Sequence, residues 1–164
     1  MQYRIVQCVV IAVLIAGLFG CNATSGQIEE EKSAREVMLS EVPEAARTTI
    51  GRLTADGQIT KLEKEQVNGK VVYDVEAKMK DKEVEYDVAA DGTILSSEET
   101  VPYTSLPAEV RIAVRRYFDT DEGLKTSKEI ENGKTFYEAE GKKDGSMVEL
   151  KLSETGEILE EEKD

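Results

Sequence analysis

From Val71 to Val88 the chain alternates. Val71, Tyr73, Val75 and Ala77 are separated by Val72, Asp74 and Glu76, and Val84, Tyr86 and Val88 by Glu85 and Asp87. A period of two belongs to a strand with one face on a core and the other in water. Ile59 to Val67 reads as a weaker strand before them. Asn68-Gly69 between the two runs is the pair that accepts positive φ at both central positions of a type I′ hairpin turn. A polar turn at Lys80-Asp81-Lys82 and another at Asp91-Gly92 complete the series, with Thr93-Ile94-Leu95 as a short fourth strand. Upstream the period changes. Ala46, Thr49, Ile50 and Leu53 recur at three and four, which predicts one amphipathic helix beginning near Pro43.

The whole pattern returns 64 residues later without a gap. Pro43 falls on Pro107, Lys64-Glu65 on Lys128-Glu129, Asn68-Gly69-Lys70 on Asn132-Gly133-Lys134, Tyr73 on Tyr137, Gly92 on Gly156 and Ile94-Leu95 on Ile158-Leu159. One offset kept across turns, an aromatic and an apolar pair marks a tandem repeat, and two copies are too few for a solenoid. The second helix is expected to be capped by Ser105, to hold Pro107 in its first turn, and to run to Phe118 with Val110, Ala113, Val114 and Tyr117 as its apolar stripe. The fold class expected is α+β: two tandem repeats, each a helix packed on a small antiparallel sheet of three to four strands. The first is assigned to residues 42–100 and the second to 101–164.

The N-terminus reads as an address. Val9 to Gly20 is an uncharged apolar run, short for a membrane span and right for a signal peptide over residues 1–20. Leu18-Phe19-Gly20-Cys21 resembles the bacterial lipobox, in which a small residue precedes a cysteine whose sulfur takes the lipid. That resemblance implies a protein anchored to a membrane through lipid on Cys21, in the bacterial cell envelope and facing the periplasm. Asn22, in place of an inner-membrane retention aspartate, favours the outer membrane. Residues 21–41, with Glu29-Glu30-Glu31-Lys32 and a partial apolar stripe of Ile28, Ala34, Val37, Met38 and Leu39, read as a flexible tether with at most a marginal helix.

Acidic residues outnumber basic ones 34 to 21, for a net charge of −13. That balance opposes nucleic acid and leaves a basic protein surface as the natural electrostatic partner. With no histidine, and no cysteine beyond Cys8 and Cys21, the usual triads, Cys–His dyads and zinc sites have no residues to use. No phosphate-cradling glycine loop is present. Asp119-Thr120-Asp121-Glu122-Gly123 lacks the later ligands of a calcium loop. The chain reads as non-enzymatic, with no cofactor and no metal.

The leading proline, the Asn-Gly-Lys-x-x-Tyr strand start and the closing Gly-x-Ile-Leu resemble the PepSY-like family of bacterial envelope proteins. Members are similar in fold to beta-lactamase inhibitory protein. The resemblance covers roughly residues 42–162 and implies a module that binds or inhibits a protein partner in the envelope, with no catalytic residues to carry over. Phe136, Asp74 and Glu138, on the outward side of the alternation, are the candidate partner contacts. The alternatives are cation or small-ligand sensing through the acidic faces, or a passive structural lipoprotein.

Overall fold

The computed structural model describes residues 34–164, which fall in a single compact unit. The expected signal peptide, Cys21 and most of the tether lie outside the described residues. The described chain forms nine strands: β1 (Arg35–Glu36), β2 (Gln58–Val67), β3 (Lys70–Lys78), β4 (Glu83–Ala89), β5 (Ile94–Thr100), β6 (Lys125–Glu131), β7 (Lys134–Lys143), β8 (Ser146–Ser153) and β9 (Ile158–Lys163). Two helices, α1 (Glu44–Leu53) and α2 (Ala108–Phe118), interrupt them after β1 and after β5.

The expected pair of tandem repeats, each a helix on its own three- to four-stranded sheet, does not form. All nine strands join one antiparallel sheet in sequence order, β1 to β9. The joint is β5 against β6, in register from Ser96 opposite Glu131 to Thr100 opposite Ser127. The physical reason lies in the edges. A separate first sheet would leave the β5 backbone unpaired, and a separate second sheet would do the same for β6; pairing the two satisfies both rows.

The register also settles which side the helices take. Val75 stands opposite Tyr86, Tyr86 opposite Ser97, Ser97 opposite Ile130 and Ile130 opposite Thr135, all on one face. Ala139 shares that face of β7 with Thr135. Val75 packs with Ala46 and Ile50 of α1, and Ala139 with Val110, Val114 and Phe118 of α2. Both helices therefore cover the same side of the sheet. The opposite side carries no helix among the described residues.

Local chemistry explains most boundaries. Asn68-Gly69, Asn132-Gly133 and Asp144-Gly145 all have positive φ, as type I′ turns require. Pro43 and Pro107 are the N-cap residues of their helices, neither with a side-chain cap bond. Ser105, expected to cap α2, instead ends a 3-10 turn, Tyr103–Ser105. The part of the expected marginal helix that falls within the described residues, Ala34 to Leu39, is also absent: Arg35 and Glu36 pair with Lys64 and Glu63, and Val37 is buried in the core under α1. Gly92 and Gly156 let the sheet approach the helices. A Cβ on Gly92 would stand 2.9 Å from the Ala45 carbonyl oxygen, and one on Gly156 2.6 Å from that of Glu109. The Thr49 hydroxyl donates to the Gly92 carbonyl at 2.9 Å, locking the first contact.

Candidate functional site: the acidic face of the sheet

The side of the sheet without helices is built from the polar positions of the alternation. Cross-strand partners continue it from strand to strand. Lys61 opposes Glu76, Glu76 opposes Glu85, Glu85 opposes Glu98, Glu98 opposes Glu129 and Glu129 opposes Phe136. One step along, Glu63 opposes Asp74, Asp74 opposes Asp87 and Asp87 opposes Ser96. Directly opposed side chains sit about 5 Å apart at Cβ, and like charges in those positions repel.

The three candidate contacts all stand on this face, Asp74 on β3, Phe136 and Glu138 on β7. They are not gathered at one point, since β3 and β7 lie four strands and so about 19 Å apart. Nor are the carboxylates open to water as alternation alone implies. Asp74 is 7% exposed and Glu138 8%. With no described element over this face, their cover comes from cross-strand neighbours. Phe136 is half-buried, and the Lys151 ammonium lies 4.8 Å from its ring centre in a cation–π contact.

Two lysines discharge the two ends of the face. On β2 the Lys61 ammonium is 3.0 Å from Glu63, 3.2 Å from Glu76 and 3.8 Å from Asp74. Burial alone would pull its pKa down, but the surrounding carboxylates outweigh that and hold it above the usual lysine range. On β8 the Lys151 ammonium is 2.5 Å from Glu129 and 3.7 Å from Glu131, and is likewise held above the ordinary value, burial again opposing. Ser127 donates a long bond, 3.4 Å, to Glu138.

Between these ends the carboxylates have no such cation. Neither Glu85 nor Glu98 pairs with any lysine or arginine among the described residues. Burial, and after it the charges of Asp74, Glu98, Glu76 and Asp87, push Glu85 up to about 8. Asp74 is pushed up to about 7 by burial, with Lys61 opposing and Asp87, Glu76 and Glu65 adding to the rise. Its Oδ1 is buried without a hydrogen-bond partner. Burial drives Glu138 well up, Glu98 and Glu129 adding to it. Protons therefore take the place of missing counter-ions at neutral pH.

Glu63, Glu65 and Asp74 bring three carboxylate oxygens within 4.8 Å of one another, a spacing a divalent ion could bridge. Lys61 stands against two of the three and already supplies the positive charge. On the helix side, a shallow cleft of about 600 Å³ is lined by Arg116, Tyr117, Lys143 and Glu161. Its groups are largely engaged: Lys143 pairs with Asp119 at 2.6 Å, and Tyr117 is raised to about 12 by burial and a hydrogen bond to Glu161. Among the described residues no helix is long and apolar enough to cross a membrane.

A search of solved structures finds this architecture elsewhere. A BLIP-like protein from Bacteroides fragilis superposes with a TM-score of 0.54 over 74% of this chain and 86% of its own, at 20% sequence identity. The fold is BLIP-like. The likeness at that identity is one of fold alone. No family model matches the sequence, and no curated protein matches it.

Sequence reasoning placed Asp74, Phe136 and Glu138 on the outward side of the alternation but did not single out Glu85 and Glu98. Glu85 and Glu98 are ordinary polar positions when each strand is read alone. Only the β5–β6 joint places Glu98 inside the sheet with carboxylates on both sides.

Proposed function

We propose that this chain is a non-catalytic binding module of the bacterial envelope, anchored through lipid on Cys21, which holds a basic protein partner on the acidic face of its sheet. The observation that carries the reading is the row Glu76–Glu85–Glu98–Glu129, four carboxylates abreast across four strands with no helix over them among the described residues. A protein that needed only solubility would spread such charge, because opposed carboxylates cost stability. Concentrated on one face, the charge steers an oppositely charged partner and sets its orientation. The BLIP-like fold is consistent with a protein partner. Asp74 and Glu138 contribute to the field, and Phe136 offers an aromatic surface beside it. The Cys21 anchor rests on the sequence pattern at residues 18–21.

Cation sensing is the second reading, and the Glu63–Glu65–Asp74 trio is what favours it. Lys61 within that trio makes it the weaker of the two.

The test is site-specific photo-crosslinking in the native envelope. A crosslinker at Ser96, on the acidic face, should capture a discrete protein of basic isoelectric point. A crosslinker at Ile112, exposed on α2, should not. Equal products from both positions, or none from Ser96, overturn the proposal. A thermal shift with calcium, abolished by Asp74→Asn, would favour the second reading.

A further inference from the structure

We propose that the partner sets one arginine side chain on the middle of the acidic face, between Glu85 of β4 and Glu98 of β5 and beside Asp74, completing a row of cations of which Lys61 and Lys151 are the two ends. This deepens the proposed protein-binding reading and rests on it.

Three observations converge on that point. The first is the charge pattern. Glu76 is discharged by Lys61 and Glu129 by Lys151, whereas Glu85 and Glu98 between them meet no cation among the described residues. The second is the comparison of matching strands. At the 64-residue offset, Lys151 on β8 corresponds to Asp87 on β4, so this position accepts a lysine in one strand and carries a carboxylate in the other. Backbone geometry does not forbid an internal cation at the centre; the described residues supply none. The third is Asp74. It is more than nine-tenths buried, and its Oδ1 has no hydrogen-bond donor, while its other oxygen is 3.8 Å from Lys61. Asp74 stands two positions along β3 from Glu76, which opposes Glu85, so it is a diagonal neighbour of Glu85 on the same face.

Arginine fits this place better than lysine. Opposed residues on adjacent strands, as Glu85 and Glu98 are, stand about 5 Å apart at Cβ, and a planar guanidinium can donate in parallel to two carboxylates, where an ammonium acts as a point charge. Glu85 and Glu98 flank the place from β4 and β5. The charged groups around it are Lys61, Glu63 and Glu65 from β2, Asp74 and Glu76 from β3, Asp87 from β4 and Glu129 from β6. Lacking the guanidinium, the free protein holds protons there. Binding must therefore expel them, and affinity must rise with pH.

The test is calorimetric titration with hexaarginine in two buffers of different ionisation enthalpy. Wild type is expected to release protons on binding and to bind about tenfold more tightly at about pH 8.5 than at about pH 6. Glu85→Gln with Glu98→Gln should lose about tenfold or more at the higher pH and abolish the proton release. Glu160→Gln with Glu162→Gln removes the same charge from the β9 edge of the same face and should lose less than about threefold. Folding of both variants is checked by thermal melting. Equal losses from the two variants, or no proton release, overturn the central arginine place and leave the acidic face as the docking surface. If wild type binds no hexaarginine even at low salt, the docking reading falls with it.

Discussion

Asp87 on β4 and Lys151 on β8 stand at the same place in two strands that match at an offset of 64 residues, and they carry opposite charge. The buried carboxylates of the two halves are consequently neutralised from different sides. Lys61 reaches Asp74 from β2, while Lys151 reaches Glu129 from β8. Lys61 and Lys151 stand toward the two ends of the sheet, and Glu85 and Glu98 between them meet no cation among the described residues. That asymmetry turns a repeated pattern into a single surface with an acidic middle.

Stability should fall as pH rises. Asp74 and Glu85 hold their protons to about 7 and about 8 in the folded chain, against ordinary values of 3.8 and 4.5. Between those limits the folded state binds more protons than the unfolded chain, so each step up in pH favours unfolding. A tenfold difference in proton affinity between folded and unfolded chain is worth about 1.4 kcal/mol, so urea denaturation should show at least about 2 kcal/mol less stability at about pH 8.5 than at about pH 5. Asp74→Asn should flatten part of the slope. A stability that rises over this range would contradict the burial of these groups.

Lys151→Ala should unfold more easily at high pH than at low. Removing the ammonium leaves Glu129, 4% exposed, without its ion-pair partner. Breaking a buried pair typically costs about 3–5 kcal/mol, and the partial exposure of Lys151 lowers the expectation to about 2 kcal/mol at about pH 8. At about pH 5.5 the cost should be less than about half of that, because protons can replace the lysine. Lys151→Met keeps the aliphatic stem and separates the lost charge from lost packing over Phe136. An equal loss at both pH values would show that packing alone was removed.

Two glycine substitutions should differ. Gly133 and Gly156 both have positive φ, at +75° and +79°. Only Gly156 has a backbone neighbour, the Glu109 carbonyl oxygen 2.6 Å from where a Cβ would stand. Gly133→Ala should cost about 1 kcal/mol, the strain of a left-handed residue. Gly156→Ala should cost about 2–3 kcal/mol, since α2 must also retreat. Similar costs in thermal or urea melts would mean the helix does not press on that turn.

The joint between β5 and β6 should behave as sheet interior. Amides of these strands are expected to exchange with deuterium as slowly as those of β3 and β7, which have paired strands on both sides. Exchange along β5 and β6 as fast as in the exposed turns would contradict the single sheet.

Much of this molecule is visible in its sequence because local signals carry it. The Asn-Gly pairs mark hairpins that form where they are expected, and of the expected stripe Val110, Ala113, Val114 and Tyr117 the structure buries Val110 and Val114, with Phe118 as the third buried residue of α2. The joining of the strands into one sheet is not visible. β5 carries Ser96-Ser97-Glu98-Glu99, with no apolar alternation, so a strand central to the sheet reads only as the short stretch Thr93-Ile94-Leu95. Its place is fixed by backbone pairing to β6, which leaves no side-chain pattern behind. The burial of Asp74 and Glu138 is hidden for a related reason. Alternation tells which face a residue takes, but its exposure depends on how many strands crowd that face.

The most direct measurement of the central claim, that the acidic face is the working surface, is a side-chain carboxyl NMR titration with hexaarginine as the probe. The largest shifts are expected on Asp74, Glu85 and Glu98, with smaller ones at Glu76 and Glu129. Shifts confined to the exposed Glu161, Glu162 and Asp164 at the chain end, or spread evenly over all carboxylates, would contradict it.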